Sequence, residues 1–232
     1  MFEIHLMAEC KLKPEELVLE ATDYYYRGEY ERTIEALDKA IELRPGFAEA
    51  WYNKGITYSV MGRTEDEIAA YQNALSINPR YAEAWNNMAS ALGNLGRYEE
   101  ALEAAAKAVE MNPGFPVAWC NKGAALSALG RDLEAVEAYD KAIAIQGSYV
   151  EAWYNKAVSL QNLDKPKGAL KAYDRTLELN PDYPDALYNR AGLLLNIGEG
   201  EKAASDLKRA IELDPALREK ARDDESLKGL LP

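Results

Sequence analysis

Residues 48–81 read AEAWYNKGITYSVMGRTEDEIAAYQNALSINPRY, and residues 82–115 read AEAWNNMASALGNLGRYEEALEAAAKAVEMNPGF. Their tryptophan, glycine and proline fall at matching places. The match extends outward in both directions. All four tryptophans, Trp51, Trp85, Trp119 and Trp153, are 34 residues apart, and the next step lands on Leu187. Prolines keep the beat at Pro45, Pro79, Pro113, Pro181 and Pro215, with Gly147 where one is missed. Glycines keep it at Gly28, Gly62, Gly96, Gly130 and Gly198, with Asp164 in the remaining place. Three residue types sharing one period identify a repeat protein.

With each tryptophan as the fourth residue of its unit, full units run 48–81, 82–115, 116–149, 150–183 and 184–217, and a weaker one occupies 14–47. Residues 1–13 form an N-terminal extension and residues 218–232 a C-terminal capping tail. Inside a unit the apolar spacing is helical. Trp51, Gly55 and Tyr58 share one helix face, and Ile68, Tyr71, Ala74, Leu75 and Ile77 mark a second helix. Gly62 suits the left-handed backbone of the turn between them. Pro79 ends the second helix, because proline cannot continue one. Pro14, Pro116, Pro166 and Pro184 fall at helix starts, where a missing N–H costs little. Each unit is therefore an antiparallel helix pair, A then B. One pair cannot bury its apolar face alone, so neighbours must stack.

Composition narrows the function. The chain has 232 residues, 27 Lys+Arg against 39 Asp+Glu, and a net charge of -12. This opposes binding to nucleic acid, whose phosphates need a basic face, and to an anionic membrane surface. With the single histidine His5, no multi-histidine metal site can form. Cys10 and Cys120 form no CxxC pair, and two thiols are no disulfide framework, so a reducing, cytoplasmic setting is expected. There is no phosphate loop, metal-ligand spacing or nucleophile–base pair, so neither cofactor nor catalysis is expected.

The units resemble the tetratricopeptide repeat (TPR) pattern of Trp, a small residue, Tyr or Leu, Ala, a large residue, Ala and a closing Pro. The third unit reads Trp85, Ala89, Leu92, Ala101, Ala105, Ala108, Pro113; the fourth reads Trp119, Gly123, Leu126, Ala135, Tyr139, Ala142, Gly147. The departures are Leu17 and Thr33 in the first unit, Glu67 in the second, Ala105 in the third, and Asp164 with Thr176 in the fifth. The resemblance implies an all-α, right-handed superhelical solenoid that binds a peptide or protein segment on the concave face lined by helices A.

On helix A the face opposite the core holds unit positions 2, 6, 9 and 13, flanked by 5 and 12. Position 6 is Asn53, Asn87, Asn121, Asn155 and Asn189; position 13 adds Asn94, Asn162 and Asn196. Asparagine is a mediocre helix residue, but its amide can pair with a peptide N–H and C=O together. The row is similar to the asparagine ladder of O-linked N-acetylglucosamine transferases. Two readings stand: a ladder that holds an extended peptide by its backbone, or a solvent-facing asparagine copied with the unit. Position 2 carries Glu49, Glu83, Glu151 and Asp185, favourable at helix N-termini and suited to a neutral or basic ligand. Tyr52, Tyr154, Tyr188, Tyr25 and Tyr26 offer contact area or pad the ridge between helices. Positions 2, 5, 6, 9 and 12 hold no Lys or Arg from the second unit on. A clamp for terminal carboxylates, as the family's chaperone adaptors have, is therefore not expected. Lys54, Lys122, Lys156 and Arg190 at position 7 are expected to cover apolar surface with their stems. Glu67, where an alanine normally packs, is expected to go with a displaced helix B or to reach solvent or a partner, since burial is costly.

The expected function is a non-enzymatic scaffold for protein–protein interaction, monomeric or weakly self-associating. The alternative is an assembly protein that self-associates through its array ends or residues 1–13.

Overall fold

The computed structural model describes residues 13–231. Among these there are thirteen α-helices, one 3-10 turn and no strand. The first helices of the six pairs start at Pro14, Ala48, Ala82, Pro116, Val150 and Pro184, 34 residues apart. The expected all-α fold of helix pairs is present.

The chain divides into two compact blocks, one ending at Met111 and the other starting at Asn112. The first holds α1 (Pro14–Tyr26), α2 (Tyr30–Leu43), α3 (Ala48–Val60), α4 (Thr64–Ile77), α5 (Ala82–Asn94) and α6 (Tyr98–Met111). Odd helices pair with the even helices that follow, and α2 and α4 pack on the A helix of the next unit. The second block holds α7 (Pro116–Ala128), α8 (Asp132–Ile145), α9 (Val150–Asn162), α10 (Pro166–Leu179), α11 (Pro184–Asn196), α12 (Gly200–Leu213) and α13 (Leu217–Asp223). The same pairing holds there, and α13 with the 3-10 turn Lys228–Leu230 packs on α12. Leu217, Ala221 and Leu227 are buried in that core, covering apolar surface that the last B helix would otherwise expose.

The period has local causes. After α3, the Gly62 N–H donates to the Ser59 carbonyl at 3.0 Å and the Arg63 N–H to the Tyr58 carbonyl at 2.9 Å. This Schellman turn needs the left-handed φ of 69° at Gly62. The fifth unit keeps the same two bonds, from Asp164 to Gln161 and Lys165 to Leu160, with Asp164 forced to φ 52°. The tryptophans are only partly buried. The indole Nε1–H of Trp85 reaches back to the Pro79 carbonyl at 2.9 Å, that of Trp119 to Pro113 at 2.9 Å, and that of Trp153 to Gly147 at 3.0 Å. Tryptophan and the closing residue therefore share a period because one ties down the other. Only a carbonyl is needed, so Gly147 can replace proline.

Small residues on helix A admit large ones from helix B. A Cβ added at Gly55 would lie 2.4 Å from the Tyr71 ring, and one at Gly123 2.5 Å from the Tyr139 ring. Tyr71, Tyr139 and Tyr173 are among the largest fully buried side chains. At position 7, Lys54 lies 5.3 Å from the Trp51 ring centroid, Lys122 5.1 Å from Trp119 and Lys156 5.4 Å from Trp153. Lys54 and Lys156 also pair with Asp38 and Asp140 on the preceding B helix. Arg190 instead forks onto Asp206 through Nε and Nη2 at 2.8 and 2.9 Å, and reaches Asp174 with Nη1 at 2.8 Å.

Candidate binding face

Position 6 carries a half-buried asparagine on α3, α5, α7, α9 and α11. The carboxamides are not a row of free amides. The Asn87 Nδ2–H donates to the Tyr52 hydroxyl at 3.3 Å, and that of Asn189 to the Tyr154 hydroxyl at 3.2 Å. The Asn155 Nδ2 lies 3.8 Å from the Cys120 Sγ. Each partner is 35 residues earlier, at position 5 of the preceding unit. Asn121 is not free either. For Asn53 the same register falls on Val18, which offers no side-chain hydrogen-bonding atom, and its carboxamide lines a cavity instead.

The tyrosines at position 5 are set among other rings. Tyr52 lies 5.8 Å from Tyr71 and 4.7 Å from Tyr81, and Tyr154 repeats this with Tyr173 at 6.1 Å and Tyr183 at 4.9 Å. Burial raises the Tyr52 hydroxyl pKa, and pushes that of Tyr154 up to about 12. Tyr188 is buried, because the C-terminal element covers it. Its hydroxyl donates to Asp224 at 3.4 Å, and the Lys220 ammonium lies 4.4 Å from its ring centroid. Asp224 thus takes the part that an asparagine plays between units. Glu49, Glu83, Glu151 and Asp185 are exposed, as are Asn94, Asn162 and Asn196. The Asn162 Nδ2–H donates to Asp132 at 3.3 Å.

Two cavities open on this face of the first block. One, of about 230 Å³, is lined by Thr22, Tyr25, Tyr26, Thr33, Asn53 and Ile56, with Ala21, Leu37 and Thr57 at its floor. The other, of about 220 Å³, is lined by Ile56, Ser59, Val60, Glu67, Tyr71, Asn87 and Ser90. They occupy the same place in successive units. Positions 9, 13, 20 and 24 of one unit meet positions 6 and 9 of the next, and Ile56 is the wall they share.

The expectation for Glu67 is corrected here. Its side chain does not reach solvent; it is buried at 6% exposure, on an α4 that runs unbroken. The cavity leaves room for the carboxylate. Burial raises its pKa, while the hydroxyls of Ser59 and Tyr71 pull the other way. Sequence reasoning also missed the position-5 partners. Their signal was the run Tyr52, Cys120 and Tyr154, each one residue before an asparagine. Cys120 is buried and its thiol is pushed up to about 11 by burial, which suits packing rather than reactivity. Among the described residues no group of three or more His, Cys, Asp or Glu is placed to hold a metal ion, and no helix is long and apolar enough to cross a membrane. Residues 1–12, including His5 and Cys10, lie outside the described residues.

A helical repeat fold of this kind is typical of protein–protein interaction scaffolds. Tetratricopeptide repeat models match residues 48–81, 82–115, 116–149 and 154–217, and a TPR repeat model matches 22–62. The chain belongs to the tetratricopeptide repeat family. It is 38% identical over 52 residues to uncharacterized protein MJ0572 of Methanocaldococcus jannaschii, a match covering 19% of this chain and 60% of that relative. The fold is similar to Pseudomonas aeruginosa PilF, with TM-score 0.76, 21% identity and coverage of 87% of this chain and 92% of PilF. It is similar to MamA, with TM-score 0.67, 21% identity and coverage of 74% and 94%. It is also similar to YrrB, described as a TPR protein with an unusual peptide-binding site, with TM-score 0.65, 25% identity and coverage of 81% and 98%.

Proposed function

We propose that the chain is a non-enzymatic scaffold that takes an extended, neutral-to-basic peptide segment on the asparagine-bearing faces of its A helices. The observation that carries this is the pair of adjoining cavities in the first block, with Asn53 and Asn87 on their walls and Ile56 between them. Packed helices lie about 8–10 Å apart and an extended chain advances about 3.3 Å per residue, so one unit matches roughly three peptide residues. Each cavity then takes one side chain while the Asn53 amide on the first cavity's wall meets the backbone. Exposed Glu49 and Glu83 border this face and favour a ligand without acidic residues. YrrB, with its peptide-binding site, offers a precedent on the same fold. A buried, unpaired thiol at Cys120 suits a reducing compartment such as the cytoplasm.

The test uses nonamer peptides selected from a random displayed library on the full chain. A lost amide contact costs about 0.5–1.5 kcal/mol, so Asn53→Ala, which removes the amide that no preceding-unit side chain engages, should weaken the selected peptides by roughly 2- to 13-fold with unchanged helicity. Equal affinity for Asn53→Ala would show that this amide takes no part in holding the peptide.

A further inference from the structure

Position 20 of the six units is Thr33, Glu67, Ala101, Ala135, Ala169 and Ala203. All six are buried. Thr33 satisfies itself by donating its Oγ1–H to the Glu29 carbonyl at 3.1 Å, and the alanines have nothing to satisfy. Glu67 alone brings a carboxylate into this place. The repeat does not require one, since four units build the same helix pair around alanine. Burying a carboxylate without a cation is costly. The cavity walls supply none: they hold two serines, an asparagine, a tyrosine and two aliphatic residues, but no Lys or Arg. The nearest cation in sequence, Arg63, is used elsewhere. Its Nε donates to Asp66 at 2.8 Å, and its guanidinium lies 4.6 Å from the Tyr58 ring centroid. The Ser59 and Tyr71 hydroxyls hydrogen-bond the carboxylate, but no cation neutralises it, and it lines a cavity of about 220 Å³ on the candidate binding face.

We propose that this cavity is a specificity pocket for one cationic side chain, lysine or arginine, of the bound segment. This rests on the peptide-binding reading above and names what one of its two cavities selects. The aliphatic stem runs along Ile56 and Val60, which wall the cavity. The charged head meets Glu67, with the Ser59 and Ser90 hydroxyls as further acceptors. The neighbouring cavity has Thr33 at position 20 and Leu37 in place of a tyrosine at position 24, so it lacks the carboxylate and takes an uncharged side chain. The two pockets are therefore chemically distinct although they are copies of one site. A ligand is read as a cationic residue and an uncharged one roughly three residues apart.

The test separates this pocket from the groove as a whole. The full chain, isotope-labelled, is titrated with n-butylammonium chloride as a lysine side-chain mimic. Sodium chloride at equal ionic strength and n-butanol serve as controls, read by amide chemical shifts of Ser59, Val60 and Ser90. Saturating shifts are expected with n-butylammonium alone, and Glu67→Gln should weaken them at least tenfold. Glu67→Ala, which copies four other units, should fold normally and abolish them. The selected nonamers should carry Lys or Arg at one position, and that preference should vanish on Glu67→Ala. No saturation, or equal saturation in both variants, overturns the pocket. Nonamers that depend on Asn53 yet show no cationic position sensitive to Glu67 overturn it while leaving the groove standing.

Discussion

Gly55→Ala tests the packing rule that builds the repeat. In an isolated helix this change is favourable by about 0.8–1 kcal/mol, because alanine is the better helix former. The structure reverses the sign. The new Cβ would lie 2.4, 2.6 and 2.9 Å from Cε1, Cδ1 and Cζ of Tyr71. Ordinary carbon contacts are about 3.5–4 Å, so the ring must retreat on the order of 1 Å, and it is 1% exposed with neighbours on all sides. Overpacking of this kind costs about 1–3 kcal/mol. Subtracting the helix gain leaves a net loss of up to about 2 kcal/mol. The fifth unit bounds this from above, since Ala157 coexists with a buried Tyr173 whose hydroxyl reaches Gln161 at 3.0 Å. Two other units show the remedy. The first pairs Ala21 with Leu37 and the sixth pairs Ala191 with Leu207, all buried. Gly55→Ala/Tyr71→Leu recreates that pair and should recover most of what the single change loses. Urea unfolding followed by far-ultraviolet circular dichroism, arranged as a double-mutant cycle, measures the coupling. A Gly55→Ala protein more stable than the parent by the full helix gain, or a double variant no better than the sum of its singles, would refute the reasoning.

Two further outcomes are expected. Arg190→Met removes the fork that holds Asp206, whose side chain is 12% exposed, and should cost roughly 2–3 kcal/mol; Arg190→Met/Asp206→Leu should regain most of it in the same urea assay, and a single-variant cost under about 0.5 kcal/mol would show the pair to be surface-like. In a Cys10→Ser background, Cys120 should react with a thiol reagent at pH 8 roughly 100-fold more slowly than free cysteine. Its thiolate forms only as the pH approaches about 11, and denaturant should erase the difference; fast native labelling would count against that burial.

The fold was legible because its causes are local and repeated. Trp85 and Pro79 share a period since one hydrogen-bonds the other, and Gly62 marks a turn that only a left-handed backbone can make. The direction of the asparagines was also legible, since helical geometry alone puts position 6 beside the exposed side. Their partners were not. Asn87 meets Tyr52 across two units, and the stagger of packed helices sets that contact rather than any spacing within one helix. Tyr188 looked like its counterparts in sequence, but the turn after α13 brings Asp224 over it. The cost of burying a carboxylate pointed to a displaced helix B, or to Glu67 in solvent or against a partner. The actual place of Glu67 depends on a cavity formed by residues of three helices, α3, α4 and α5.

The asparagine-to-preceding-unit bond has a consequence for how such arrays diversify. Whether an amide is locked or available is decided one unit upstream, by a residue that need not touch any ligand. Val18 leaves Asn53 unlocked, while Tyr52 and Tyr154 lock Asn87 and Asn189. A copied unit therefore does not inherit its binding behaviour. It acquires that from whichever neighbour it lands behind, and shuffling or inserting units rewires the face even when every asparagine is kept.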